Sequence, residues 1–319
     1  MKYLYLFLIC PLFAFSQSKI VEAEQLIVKK QFSKAEQVMI TYVAQNPNDL
    51  KGIELLGDAY GYQKKWDNAI INYKKLVDTK PDIANYHYKY GGALGMKALS
   101  VNKINKYFYV AQKFQVLKEV NFDINQGEFV SIIGKSGSGK STLLYLLSTM
   151  DTDYEGAISI NGTTVTGKSQ NELAAFRNAH IGFVFQFHYL LPEFSLVENI
   201  MLPALKLKLK SKEEIEHRAV ELLGMLDMKG TELKKAAAIS GGQAQRVAIA
   251  RALINDPAVI MGDEPTGNLD SRNTAIVFDI FKELAHNKGQ TIIAVTHDDE
   301  FAQKSDRIIE LKDGKIINE

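Results

Sequence analysis

Several residue groups in the second half of this 319-residue chain have the types and spacing of phosphate chemistry. Gly134 to Ser141 read GlyLysSerGlySerGlyLysSer, with Thr142 following. Backbone N–H groups that wrap around anionic oxygens and lead into a helix N-terminus form a ready-made anion cradle. Gly134, Gly137 and Gly139 permit such a backbone path, with Lys135, Ser136 and Ser138 between them. Lys140 supplies a cation to the phosphates and Ser141 a hydroxyl for Mg²⁺. The required context is a strand before and a helix after, and Phe129 to Ile133 and Ser141 to Thr149 read as those elements.

The carboxylates come next. Ala258 to Glu264 read AlaValIleMetGlyAspGlu, an apolar run ending in two acids. Asp263 therefore falls at the end of a strand, where open α/β sheets bind ligands, and is a candidate Mg²⁺ ligand, direct or through water. Glu264 is the candidate to polarise an attacking water as general base. Gln186 follows GlyPheValPhe and His297 follows IleIleAlaValThr, each after an apolar run. Alone, either would read as a polar residue capping a strand, but their order relative to Lys140 and Glu264 makes them candidate catalytic groups. IleSerGlyGlyGln, from Ile239 to Gln243, opens a helical pattern, and a helix N-terminus with two glycines suits a phosphate.

These groups need strands to carry them. Leu99, Val101 and Ile104 read as an edge strand. Val120, Phe122, Ile124, Phe129, Ser131 and Ile133 alternate as strands about a turn at Gln126 and Gly127. Ala258 to Met261 and Ile292 to Val295 are short apolar runs of the kind buried on both faces of a parallel sheet. Helical patterns at Ser141 to Thr149, Gln243 to Ile254 and Arg272 to His286 alternate with them, which predicts an α/β fold with a mainly parallel sheet. A helical subdomain is expected over about 190–240, with SerLysGluGlu at 211–214 as a start signal. The LysLeuLysLeuLys run from Lys206 reads as a solvated helix face.

Over 99–319 the chain resembles the ABC ATPase family, a P-loop NTPase fold. The resemblance implies that ATP and Mg²⁺ are bound, that Gln186 contacts Mg²⁺ and the water and senses a membrane subunit, and that His297 steadies the γ-phosphate. It implies that Ser240, Gly241, Gly242 and Gln243 bind the γ-phosphate held by the opposite subunit, so that catalysis needs a homodimer with two ATP molecules sandwiched between protomers. Asp270, in ProThrGlyAsnLeuAsp, matches the loop that couples the two sites. Phe108 best fits the aromatic that stacks on adenine, with Tyr107 and Tyr109 as rivals. GluPheValSerIleIleGly, LeuLeuProGluPheSerLeuValGluAsnIle and ProThrGlyAsnLeuAsp look most like the lipoprotein-release and macrolide-export branch, which drives a separate multi-span permease. The alternatives are a regulatory ATPase of cell division, or an exported repeat adaptor carrying a passenger ATPase.

The first half differs. After Met1 and Lys2, an apolar run from Tyr3 to Phe15 with small residues at Ala14 and Ser16 reads as a secretory signal, cleaved before Gln17. From there to residue 98 the apolar spacing is helical and repeats every 34 residues, pairing Pro47 with Pro81, Ala35 with Ala69, and Gly57 with Gly91. This resembles tetratricopeptide repeats. The third repeat, from Asp82, does not finish, because Lys103 stands where a small residue is due. Export conflicts with the cytoplasmic membrane face that an ATPase of this kind needs. The lone Cys10 excludes an internal disulfide, and a net charge of +1 gives no footprint for nucleic acid.

Overall fold

The computed structural model describes residues 10–109 and 113–319. The chain divides into two compact units, Met1–Lys97 and Ala98–Glu319. Of the expected export signal, residues 1–9 lie outside the described ones.

The first unit is all-α: α1 (Cys10–Val28), α2 (Phe32–Gln45), α3 (Leu50–Tyr62), α4 (Trp66–Thr79) and α5 (Ala84–Gly95), each packed on the next. Asp49 caps α3 by accepting from the backbone N–H groups of Lys51 and Gly52. The small residues of the 34-residue period do packing work. Ala35 and Ala69 are fully buried, and a Cβ at Gly57 would meet the Tyr73 ring at 2.6 Å. Gly91, one period on, has open space around it.

The second unit holds two sheets. An antiparallel sheet has the order β2 (Lys113–Asn125), β1 (Lys97–Tyr109), β4 (Glu155–Ile160), β5 (Thr163–Thr164). Strand β1 is thus interior, contrary to the edge position its short apolar run suggested. It is paired on both sides, and its register with β4 shifts between Asn102 and Asn105, where Lys103 takes φ +50°. The other sheet has the order β10 (Lys315–Asn318), β9 (Arg307–Lys312), β3 (Phe129–Ile133), β8 (Thr291–Val295), β7 (Val259–Asp263), β6 (Ile181–Phe185), with only β10 antiparallel to its neighbour. The Gln126–Gly127 turn therefore passes from one sheet to the other and does not close a hairpin.

Alternate residues of the parallel strands feed two cores. Val130, Ile132, Val259, Met261, Ile293 and Val295 pack with β1, β2, β4 and α6 (Lys140–Leu147). Phe129, Ile260, Ile292 and Ala294 pack with α10 (Gly241–Leu253) and α11 (Ser271–Lys288) on the other face. The remaining helices are α7 (Gln170–His180), α8 (Leu196–Leu207), α9 (Lys212–Met225) and α12 (Asp299–Gln303). Helices α7 to α10 each begin at a serine in a capping box: Ser169, Ser195, Ser211 and Ser240. The Lys206 run is not one helix face, because α8 ends at Leu207 and Lys208 is its left-handed C-cap. Among the described residues no helix is long and apolar enough to cross a membrane.

Candidate nucleotide site

Register sets the site. Phe185 pairs with Asp263, Asp263 with Val295, and Ile132 with Val295, so four parallel strands end nearly level. The residues that follow are Gln186, Glu264 and Thr296, with Gly134 two positions beyond Ile132. All stand along the carboxyl edge of one sheet, where such folds bind ligands.

The glycine loop bridges β3 and α6. Gly134, Gly137 and Gly139 all take positive φ, and a Cβ at Gly134 would run into the carbonyl oxygen of Leu311. Glycine is required there by both backbone conformation and space. Lys140 is buried and curls back over the loop, donating to Gly134 O at 2.7 Å and Lys135 O at 3.3 Å. The Ser138 backbone N–H donates to Lys135 O, while Lys135 and Ser136 are exposed. Ser141 and Thr142 lie in the first turn of α6.

The Tyr145 hydroxyl donates to Asp263 Oδ2 at 3.4 Å, and the Ser141 hydroxyl faces the same carboxyl. Burial, and then the neighbouring charge of Glu264, push the Asp263 carboxyl up. The hydroxyls of Tyr145 and Ser141 and the charge of Lys140 oppose that shift. A hydroxyl and a carboxylate side by side, next to a phosphate cradle, are the hard oxygen donors that Mg²⁺ takes together with phosphate. Gln186 bonds Asn268, its Nε2 donating to Asn268 Oδ1 at 3.3 Å and its backbone oxygen accepting from Asn268 at 3.2 Å.

Glu264 and His297 meet directly. His297 Nδ1 lies 2.9 Å from Glu264 Oε2, and the His297 backbone N–H donates to the same oxygen at 3.3 Å. Glu264 has φ +47°, an uncommon conformation for a residue with a side chain, fixed in part by its N–H donating to Val295 O at 2.9 Å. Ser240 N-caps α10, and the Ser240 N–H donates to Gln243 Oε1 at 3.1 Å. Gly241 is open on all sides, while a Cβ at Gly242 would clash with the Asn273 carboxamide. Asn273 in turn bonds Asp270, the N-cap of α11, and these backbone and side-chain donors hold the Asp270 carboxyl low.

Phe108 is partly exposed, with the Lys106 ammonium 5.0 Å from its ring centroid. The Tyr107 ring carries Lys113 at 3.9 Å, and Tyr109 is more exposed than Phe108.

Sequence reasoning missed Gln245, Asn268, Asn273 and Lys106. Gln245 did carry a signal. It shares helical spacing with Ala248, Ile249 and Ala252, so a polar side chain sits on an apolar face.

Residues 117–267 match the family described as ABC transporter. The chain is 50% identical over 203 residues to the lipoprotein-releasing system ATP-binding protein LolD of Bacteroides fragilis, covering 64% of this chain and 94% of that one. It is 47% identical over 210 residues to the LolD protein of Aquifex aeolicus, covering 66% and 93%. Among solved structures, a dimeric ATP-binding cassette in a post-hydrolysis state with ADP and phosphate matches at TM-score 0.64 and 39% identity, over 69% of this chain and 97% of that one. A component of an ABC transporter complex from Clostridium perfringens matches at TM-score 0.63 and 29% identity, over 69% and 87%. With the phosphate loop, the paired acids and the capped SerGlyGlyGln helix in one fold, this chain belongs to the ATP-binding, ATP-hydrolysing subunits of ABC transporters.

Proposed function

We propose that the chain powers a lipoprotein-releasing permease from the cytoplasmic face of a membrane, working as a homodimer with ATP sandwiched between protomers. The LolD relatives support the cargo class, and the dimeric cassette with ADP and phosphate supports the assembly. The observation that carries the hydrolytic reading is the Glu264–His297 pair, one residue beyond Asp263 and level with the phosphate loop.

In this reading Gly134 to Thr142 wrap the phosphates, and Lys140 leaves its backbone carbonyls to meet them. Ser141 and Asp263 would hold Mg²⁺, with Gln186 as the further residue that would face it. When bound, Mg²⁺ neutralises charge on the phosphate oxygens. Glu264 orients the attacking water and accepts its proton, and His297 positions that carboxylate and meets the γ-phosphate. Ser240 to Gln243 serve the partner's nucleotide. The aromatic run from Tyr107 to Tyr109 supplies the adenine platform, with Phe108 preferred to Tyr107 because Lys113 sits closer over Tyr107, at 3.9 Å, than Lys106 does over Phe108, at 5.0 Å.

Phe187, Tyr189, Leu191 and Phe194 are exposed apolar side chains just after Gln186, on a loop fixed by Arg251, which donates to His188 O and Tyr189 O. Such a patch is a surface for another protein, here the permease. We assign the helices before Lys97 to a tetratricopeptide-like array, on the strength of the buried Ala35, Ala69 and Gly57.

The test is Glu264→Gln. The amide keeps an oxygen for the His297 N–H but is no base, so turnover is expected to fall about 10²–10⁴-fold with ATP binding retained. Full-rate hydrolysis by this variant would sink the assignment.

A further inference from the structure

Gln245 lies on α10, two residues beyond the SerGlyGlyGln segment, and is almost fully buried. Its Nε2 donates to the backbone oxygen of Pro265 at 2.6 Å, while its Oε1 is buried without a hydrogen-bond partner. A buried amide with one strong bond and one unmet acceptor is held for that bond. The bond's target is the residue after Glu264. Proline has no N–H, so the carbonyl is the only backbone group through which the chain can be gripped there.

The surroundings show why a grip is needed. Glu264 stands in the left-handed region, which a residue with a side chain occupies only when its neighbours over-determine it. On the amino side the backbone is fixed by Glu264 N–H to Val295 O at 2.9 Å. On the carboxyl side Gly267 N–H donates to Glu264 O at 3.0 Å, and the Pro265 ring lies against Gly262. Gln245 contributes the contact from outside this turn, from α10. Without it, Pro265 O would be a buried acceptor lacking its side-chain donor, and the turn could relax toward ordinary backbone. That relaxation would swing the Glu264 carboxylate away from His297.

We infer that Gln245 is a positioning residue for the hydrolytic step, holding the Glu264 carboxylate in place through the Pro265 carbonyl. The inference rests on the assignment of Glu264 as the base. The side-chain hydrogen bond of Gln245 goes to Pro265 and not to the phosphate loop, Ser141 or Asp263, so its role separates binding from turnover.

The experiment uses the full chain with Gln245→Met, which keeps length and removes the donor, and Gln245→Leu as a second variant. Steady-state hydrolysis and equilibrium binding of a fluorescent ATP analogue are measured on each, alone and combined with Glu264→Gln. The expected result is a fall in kcat of about tenfold or more, as a small displacement of a reacting group produces. KM and analogue affinity should stay within about twofold, the pattern of an interaction expressed only in the transition state. In the Glu264→Gln background, either Gln245 change should lower the residual rate no further, since the two residues act as one unit. An unchanged kcat, a rise in KM that accounts for the loss, or a fall that multiplies with that of Glu264→Gln would each overturn the inference. Should Glu264→Gln alone run at full rate, the assignment of the base fails instead, and the two failures are told apart by that single variant.

Discussion

Lys106 is a cation at 2% exposure, and its surroundings predict an asymmetry between two substitutions. Its ammonium lies 2.8 Å from Asp151 Oδ2 and 3.1 Å from Asp151 Oδ1, and donates to Asp153 O at 2.6 Å. The Asp153 carboxylate is at 3.3 Å but 81% exposed, so water weakens its contribution. Asp151 is 30% exposed and also accepts from the Asp153 N–H at 3.0 Å. The pair ties β1, which carries Tyr107 to Tyr109, to the segment just behind the phosphate-loop helix.

Removing the charge on Asp151 strands a cation that cannot reach water, whereas removing Lys106 leaves an anion that can. Breaking a buried pair by deleting one partner costs about 3–5 kcal/mol. In Asp151→Asn the amide oxygen and Asp153 O remain as acceptors, which brings the expected loss to about 2 kcal/mol. In Lys106→Met the loss should be under about 1 kcal/mol, because an apolar side chain of similar length fills the site. For a domain of about 150–250 residues each kcal/mol moves Tm by about 2–4 °C, so Asp151→Asn should melt about 4–8 °C lower. The assay is thermal unfolding of the full chain, following the transition that MgATP raises, which identifies the nucleotide-binding unit. An unchanged Tm in Asp151→Asn, or a larger loss in Lys106→Met, would refute the reasoning.

Asp263 carries a cost from its burial beside Glu264. A carboxyl whose pKa is raised on folding makes the folded chain the tighter proton binder, so its share of stability is present at low pH and lost as pH rises above the usual carboxylate value. Asp263→Asn should therefore melt no lower than the parent at pH 7 without nucleotide. Its advantage should vanish below about pH 4, and MgATP should no longer stabilise it; a lower Tm at pH 7 in metal-free buffer would contradict this. In the helical unit, Gly57→Ala would push a methyl group into the Tyr73 ring, costing about 1–3 kcal/mol and speeding hydrogen exchange in α3 and α4. Unaltered exchange there would show that the ring gives way freely.

Much of the site was legible because its residues end strands. An apolar run followed by Asp263 and Glu264 announces both the strand and its edge, and Gly134 to Ser141 announce the turn that follows another strand. The sequence could not show that β1 is interior, since its apolar run is short and one of its two neighbours, β4, follows only after β2 and β3 in chain order. Nor could it choose among three consecutive aromatics, because that choice depends on which lysine covers which ring. The Lys206 run misled for a related reason: alternating Lys and Leu says nothing of where α8 stops, which Lys208 decides by its left-handed backbone.

Some of what stayed hidden did so because a partner is backbone. Gln245 bonds one carbonyl, Arg251 bonds two, and Lys106 rests partly on a fourth. Every residue has a carbonyl, so no spacing in the sequence marks which one will be used. The segment from Glu264 to Asp270 concentrates such contacts. Val295 and Gln245 hold its start, Gln186 bonds Asn268, and Asp270 caps α11 beside the Asn273 that abuts Gly242. One short loop thus touches the ends of β6 and β8, the amino-terminal part of α10 and the start of α11. A displacement at any of these contacts reaches the Glu264 carboxylate through a few bonds of one turn. Substitutions at Asn268 or Asn273, neither of which is in the phosphate loop, are therefore expected to lower kcat more than they weaken ATP binding. Parallel measurement of kcat and analogue affinity would refute this if affinity fell first.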